Sequence, residues 1–242
     1  MVIDAHCHLG KGDGLTAPWN TDAPLQPYLR RARAARIDRT VVMPPFHGSY
    51  ARANAALARL VARDPARFIP FAGVHPGRDE GHVRTMVGRA KSRWGFRGIK
   101  VHRFDAPITR EICETARDLR LPVIYDVMGN APLIEQVAGQ YPTVNFIVPH
   151  LGSFGDDWRA HRQVIDQMIR LPNVFADSSG VRRFDYLVET VRRAGPDRLL
   201  FGSDGPWLHP GAELHKIRLL GLPRDEEDLV LGGNLLRLIG RR

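Results

Sequence analysis

Val2-Ile3-Asp4-Ala5-His6-Cys7-His8-Leu9-Gly10-Lys11-Gly12-Asp13-Gly14 opens the chain, and its reading decides the fold. The stretch begins apolar and β-branched, ends on polar side chains and stops at glycine, the pattern of a buried strand. The glycines behind it do not reproduce G-x-G-x-x-G and no helix pattern follows them at once, so the phosphate-binding turn of a doubly wound sheet is absent. Seven more runs of the same kind occupy 40–44, 68–74, 98–102, 122–127, 144–150, 174–177 and 199–204. They begin roughly 20–40 residues apart, the span of a strand plus its crossover helix. The segments between them carry helical periodicity: 50–63 lines up Ala53, Leu57, Leu60 and Val61, and 109–119 lines up Ile112, Cys113, Ala116 and Leu119. Further helices are expected at 160–171, 184–194, 213–220 and 225–239. Eight strands alternating with helices predict a (β/α)8 TIM-type barrel, one domain over 1–242.

The composition fits that architecture. Of 242 residues, 43% are hydrophobic and 25% charged, ordinary for a chain with a sizeable core and unlike a disordered or fibrous one. A barrel of this class takes about 250 residues, which leaves no room for a second domain. No apolar run reaches the roughly 18–20 residues of a membrane span, and the chain opens on a strand where a leader would have an apolar helix. Cys7 and Cys113 are the only cysteines; they form neither a metal spacing nor a disulfide framework, which predicts a reducing, cytoplasmic setting. The 35 Lys+Arg against 26 Asp+Glu give +9, a balance that invites an anionic partner. The arginines, however, interleave with acids, as in Arg63-Asp64 and Arg224-Asp225-Glu226-Glu227. The densest basic stretch, Arg30-Arg31-Ala32-Arg33-Ala34-Ala35-Arg36, reads as the solvated face of a helix. The expectation is a small-molecule partner, with neither nucleic acid nor membrane; a homo-oligomer is compatible with the sequence, which holds nothing that sets the assembly.

In such a barrel the chemistry sits at the C-terminal ends of the strands. Those ends carry Asp4, His6 and His8, then Lys100 and His102, Asp126, His150, Asp177 and Asp204, the stock of a divalent metal site. Alternation along a strand puts His6 and His8 on one face, where they can share an ion, and turns Cys7 toward the helices as a packed thiol. Asp204 faces them, because strands 1 and 8 are neighbours in a closed barrel; it can ligate and also take a proton from water, or cap a following helix. His150 can ligate, polarise a carbonyl or shuttle a proton. Lys100 and His102 share a face, and with Arg103 they make a cationic rim suited to an anionic molecule. His47, His75 and His209 fall in loops near the same mouth, while His82, His161 and His215 fall in helices as surface or packing residues.

Four motifs in order carry a resemblance: Ile3-Asp4-Ala5-His6-Cys7-His8-Leu9-Gly10, Gly98-Ile99-Lys100-Val101-His102, Pro149-His150-Leu151-Gly152 and Leu200-Phe201-Gly202-Ser203-Asp204-Gly205-Pro206. Together they resemble the amidohydrolase-related family, metal-dependent hydrolases and decarboxylases of the amidohydrolase superfamily. Glu213-Leu214-His215-Lys216-Ile217 and Gly232-Gly233-Asn234 are similar to that family's closing helices, so the likeness spans nearly the whole chain. The resemblance implies one divalent ion, usually zinc, held by His6, His8, a strand-5 histidine and Asp204, with Asp204 doubling as base and His150 assisting. At strand 5, however, Pro122-Val123-Ile124-Tyr125-Asp126-Val127-Met128-Gly129 puts Asp126 where family members carry histidine. Asp126 can complete a two-His, two-Asp centre, an oxygen-richer set that improves the case for manganese; alternatively it binds no metal and holds a substrate group or Lys100. Lys100 in turn can pair with a substrate carboxylate, or be carbamylated as in other branches of the superfamily, or form a buried ion pair with a barrel acid.

The leading functional expectation is a metal-dependent hydrolase, in which a metal-activated water attacks an amide, lactone or ester carbonyl of a small, anionic molecule. Non-oxidative decarboxylation in the same pocket is the alternative, disfavoured by the compact length. A two-metal nuclease fits less well, since Lys100 stands where such barrels need a bridging acid. A metal-free binding protein, its site decayed at strand 5, is the remaining class.

Overall fold

The computed structural model describes residues 1–13 and 22–240; Gly14, the last of the opening glycines, and Arg241 and Arg242 lie outside them. Eight parallel strands follow one another around the sheet in sequence order: β1 Ile3–His8, β2 Arg39–Met43, β3 Phe68–Val74, β4 Gly98–His102, β5 Val123–Asp126, β6 Phe146–Val148, β7 Val174–Asp177 and β8 Leu199–Leu200. The helices between them are α1 Leu25–Ala34, α2 Tyr50–Val61, α3 Val83–Trp94, α4 Arg110–Leu119, α5 Pro132–Gln140, α6 Trp158–Arg170 and α7 Phe184–Arg193, with α8 Pro210–Arg218 after the last strand. The chain beyond β8 returns to β1, where Ala5 N donates to Phe201 O at 2.8 Å and Asp204 N to His6 O at 2.7 Å. The sheet thus closes into the (β/α)8 barrel that the alternation of strands and helices predicts.

Outward side chains such as Cys7, Val42, Tyr125 and Phe201 build the main core against the helices. Inward ones, among them Ile69, Phe71, Ile124, Ile147, Phe175 and Leu200, fill the barrel at its N-terminal end. Leu235 and Leu238, from the closing helix α10 Asn234–Leu238, join that inner cluster. Burial of each large apolar side chain contributes about 1.5–3 kcal/mol, so both layers hold the C-terminal ends in place. On α1, Tyr28, Leu29 and Ala32 are buried while Arg30, Arg31, Arg33 and Arg36 stay exposed on it and just behind it, the solvated basic face that the sequence suggests. Asp157 starts α6 by accepting from Arg159 N at 2.9 Å, an N-cap that fixes where the loop after β6 ends. Among the described residues no helix is long and apolar enough to cross a membrane.

Three differences from the expected elements bear on function. β6 and β8 leave the ladder early, at Val148 and Leu200, so His150 and Asp204 lie in turns beyond the strands rather than at their last residues. The single closing helix expected at 225–239 is instead α9 Arg224–Asp228, a wide turn Leu229–Gly233 and α10. Gly232 breaks it because the backbone there lies directly on β1, where a Cβ would sit 2.9 Å from Ile3 Cγ1. The third difference is a bulge in β1: Asp4 pairs with Thr40 and Cys7 with Val42, so Ala5 and His6 together face one residue of β2.

Gly98 faces the barrel interior against the ring of Phe71, which a Cβ would approach to 2.2 Å. Gly98→Ala is expected to cost about 1–3 kcal/mol of stability through overpacking, read as a lower urea midpoint; an unchanged midpoint would show that the inner layer has slack.

Candidate active site

The bulge gives the site its first two groups. Without it, the period of two would place Asp4, His6 and His8 on one face; with the extra residue, Ala5 stays in the inner apolar cluster, His6 and His8 point into the mouth and Asp4 turns outward to Tyr28 of α1. Asp204 reaches the same point from beyond β8 with a left-handed backbone, φ 54°. His6 Nε2 and His8 Nε2 are 3.4 Å apart, and each lies 3.5 Å from Asp204 Oδ1. All three side chains are buried.

The other ring nitrogens set the tautomers. His8 Nδ1 lies 3.1 Å from the carbonyl of Pro44, which can only accept, so the proton is on Nδ1. His6 Nδ1 lies 2.9 Å from Asp177 Oδ2 and carries its proton likewise. Both Nε2 atoms therefore present lone pairs toward a carboxylate oxygen, an arrangement that asks for a cation between them. The edges of a tetrahedron around an ion bonded at about 2.0–2.1 Å are roughly 3.3–3.4 Å long; the separations here match. Asp177 and the Pro44 carbonyl are the kind of partner that orients metal-bound imidazoles. Burial pulls both imidazoles below their usual pKa, that of His8 well below it, and the Lys100 ammonium adds to this. The neutral form that ligates a metal is thus favoured. By the chemistry of the donors and their spacing, His6, His8 and Asp204 fit a divalent ion.

Lys100 brings its Nζ to 3.4 Å from His6 Nε2. Burial lowers its pKa against the pull of Asp126, Asp204 and Asp177. Asp126, the fourth expected ligand, lies apart from the trio: its Oδ2 is 3.0 Å from His102 Nε2 and 3.7 Å from His150 Nε2, and its Oδ1 accepts from Met128 N at 2.9 Å. Burial by itself would raise this carboxyl, but its interactions with His102 first, then His150 and Lys100, hold it well below the carboxylate range. His102, Asp126 and His150 thus form a chain along one wall. Of the expected cationic rim, Lys100 and His102 face inward with this chain. Arg103 follows β4 in a turn, its Nε buried without a hydrogen-bond partner.

His150 stands in the turn Pro149–Gly152, where His150, Leu151 and Gly152 all have positive φ, at 58°, 49° and 96°. Such backbone is costly for non-glycine residues and persists only when clamped. Asp177 Oδ1 accepts from His150 N, Gly152 O from Gly129 N, and Leu151 O from the His161 ring. His161 is therefore a fully buried brace of this turn rather than surface or simple packing. Ser179 completes the setting: its carbonyl and hydroxyl oxygens lie 2.8 and 2.9 Å from His150 Nδ1, and its hydroxyl also donates to Asp177. Asp177 was visible as a strand-end acid but its work, holding His6 and the His150 turn at once, was not; nothing in the sequence singles out Ser179. Around the mouth, Trp207 stacks near His8 at 4.7 Å, Phe154 lies edge-on to His150 at 5.0 Å and Phe46 edge-on to His102 at 4.6 Å.

The unfolded chain protonates its histidines near pH 6.5, whereas the folded, metal-free protein holds His6 and His8 neutral below that value. The unfolded state then binds more protons, so this part of the stability is present above about pH 6.5 and lost as the pH falls. The metal-free unfolding temperature of His8→Leu should decline less steeply from about pH 7 to 5 than that of the unaltered protein; equal slopes would contradict the burial of a neutral His8.

Comparison with known proteins gives the family and the fold. The sequence model of the family described as Amidohydrolase matches residues 3–241. A zinc-bound amidohydrolase from Burkholderia multivorans superposes with a TM-score of 0.78 at 16% identity, covering 100% of both chains. A probable 2-pyrone-4,6-dicarboxylic acid hydrolase from Acinetobacter baumannii, with citric acid bound, gives 0.77 at 15% identity over 99% of each chain. A dihydroxybenzoic acid decarboxylase from Polaromonas, with manganese and the inhibitor 2-nitroresorcinol, gives 0.72 at 18% identity over 99% of this chain and 96% of its own. No curated protein matches the sequence.

Proposed function

The chain belongs to the amidohydrolase family, and from that premise we propose that it is a metal-dependent hydrolase that opens an amide, ester or lactone carbonyl of a small, carboxylate-bearing molecule. The observation that carries this reading is the convergence of His6 Nε2, His8 Nε2 and Asp204 Oδ1 within 3.5 Å of one another. These three would hold the ion, zinc or manganese. When bound, it supplies Lewis acidity, which brings the pKa of water down to about 7 and polarises a carbonyl. The remaining work falls to the side chains. Asp204 accepts the proton that water gives up as the new C–O bond forms. His150, its Nδ1–H held by the Ser179 carbonyl, takes at Nε2 the proton that Asp204 releases and hands it to the departing oxygen or nitrogen as the old bond breaks. Lys100 and His102 face the substrate carboxylate, and Asp126 orients His102 and His150 from the wall. Arg103 takes no part in substrate contact in this reading.

Decarboxylation has a specific observation in its favour, the aromatic lining of the mouth. Phe104, Phe154 and Trp207 are exposed there, and Phe46 stacks edge-on with Phe104 at 5.5 Å. Such walls suit a planar unsaturated skeleton, and the Polaromonas enzyme of this fold is described as a decarboxylase of a dihydroxybenzoic acid. In that case the bond to the carboxyl carbon breaks, carbon dioxide leaves, and the ring carbon receives a proton from His150.

Turnover of candidate lactones and hydroxybenzoates by the manganese- or zinc-loaded protein in labelled water separates the two. Hydrolysis places one 18O in the product acid; decarboxylation releases carbon dioxide and places solvent deuterium on carbon. The expected outcome is 18O incorporation, abolished by chelation and restored by the ion; deuterium with carbon dioxide would assign the second reading. In either case His150→Asn should lower kcat by about 100-fold or more while leaving the metal content intact; near-normal turnover would remove His150 from the chemistry.

A further inference from the structure

The bulge that aims His6 into the site has a consequence behind the strand. An extra residue leaves backbone donors without ladder partners, and buried donors need acceptors. The carboxylate of Asp4, fully buried on the outer side of β1, accepts from the bulge at His6 N and reaches across to the turn after β8. Its Oδ1 accepts from His6 N at 3.1 Å and from Ser203 N at 2.8 Å. Its Oδ2 accepts from the Tyr28 hydroxyl at 2.8 Å and from the Ser203 hydroxyl. One carboxylate thus grips the residue that bears one expected ligand, His6, and the residue immediately before another, Asp204. The seam it spans has no regular ladder: β8 is only two residues long, and β1 meets the chain beyond it through backbone bonds such as Ala5 N to Phe201 O, Asp204 N to His6 O and His8 N to Gly205 O.

We propose that Asp4 is a positioning residue for the metal centre: from behind the strand it ties the bulge of β1 to the turn after β8 and so aims His6 and Asp204 at a common point. The inference rests on the reading of His6, His8 and Asp204 as the ligand set. Tyr28 fixes the far side of the carboxylate and itself lies 2.8 Å from the Thr40 hydroxyl on β2, so the grip is anchored to the helix layer and to the neighbouring strand. If this position served only to fill space, an apolar side chain would do so without the cost of burying a carboxylate. Its four acceptor contacts all go to groups that set the course of the chain around the site. Asparagine at this position would keep an oxygen for the two backbone donors and turn its amide toward hydroxyls that can accept; alanine would take this acceptor from His6 N and leave Ser203 N only its longer bond to His6 O at 3.3 Å.

Cobalt(II) is the probe, because its visible absorption reports the geometry of the donors around it as well as its affinity. Titrations of the metal-free protein compare the unaltered chain with Asp4→Asn, Asp4→Ala and Ser203→Ala, each checked for native far-UV circular dichroism. Asp4→Ala should bind cobalt about 10–100-fold more weakly, with an altered visible band, in keeping with the loss of a group that orients ligands. Asp4→Asn should recover most of the affinity, and Ser203→Ala should fall between. Folded Asp4→Ala and Ser203→Ala with unaltered affinity and spectrum would overturn the inference. If Asp4→Ala does not fold, Ser203→Ala decides alone: weakened binding supports the positioning role and unaltered binding ends it. Absence of cobalt binding by the unaltered protein would overturn the ligand set itself, and this inference with it.

Discussion

Two imidazole lone pairs and a carboxylate oxygen facing one another at 3.4–3.5 Å in a buried site form the constraint on which the rest of the architecture depends. In an apolar interior such an arrangement is unfavourable unless positive charge sits among the donors. The barrel supplies part of that charge through Lys100, and a bound cation would supply the rest. Holding electron-rich groups so close requires that each be fixed from behind, and each is: His6 by Asp177, His8 by the Pro44 carbonyl, and Asp204 through the hydrogen bond of its own N–H to His6 O.

Several backbone positions of positive φ stand where these groups are presented. Among the described residues four of the seven non-glycine residues with positive φ, Met128, His150, Leu151 and Asp204, lie just past the ends of β5, β6 and β8, while Arg36, Arg120 and Asp156 lie elsewhere. Asp177 ties two of these features together, one oxygen on His6 and the other on the His150 turn. His161 and Ser179 brace that turn from α6 and from the loop after β7. The apolar inner layer below, with Phe71, Ile124, Ile147 and Phe175, provides the rigid floor against which such conformations can be held.

The eightfold alternation was legible because both periods, two for strands and 3.6 for helices, are local properties of the chain. That Asp204 comes near His6 and His8 was legible from strand order, since the first and last strands of a closed barrel must meet. Asp4 shows where that logic stops. A bulge adds one residue and reverses every later inward or outward assignment on the strand, and its presence depends on partners as distant in sequence as Ser203. The same holds for Asp126: its type and strand position suit a ligand, yet whether it meets the trio or His102 depends on side-chain directions across two strands. Arg103 stands one residue past the end of β4, where strand alternation no longer sets the direction of a side chain.

Metal stoichiometry tests the central claim most directly. Mass-spectrometric metal analysis after equilibrium dialysis against zinc or manganese, on the unaltered protein, Asp204→Asn and Asp126→Asn, addresses the three-donor centre without any substrate. The account predicts one ion per chain in the unaltered protein, retention of that ion by Asp126→Asn and its loss from Asp204→Asn. An ion lost from Asp126→Asn as fully as from Asp204→Asn, or bound equally by all three, would contradict it.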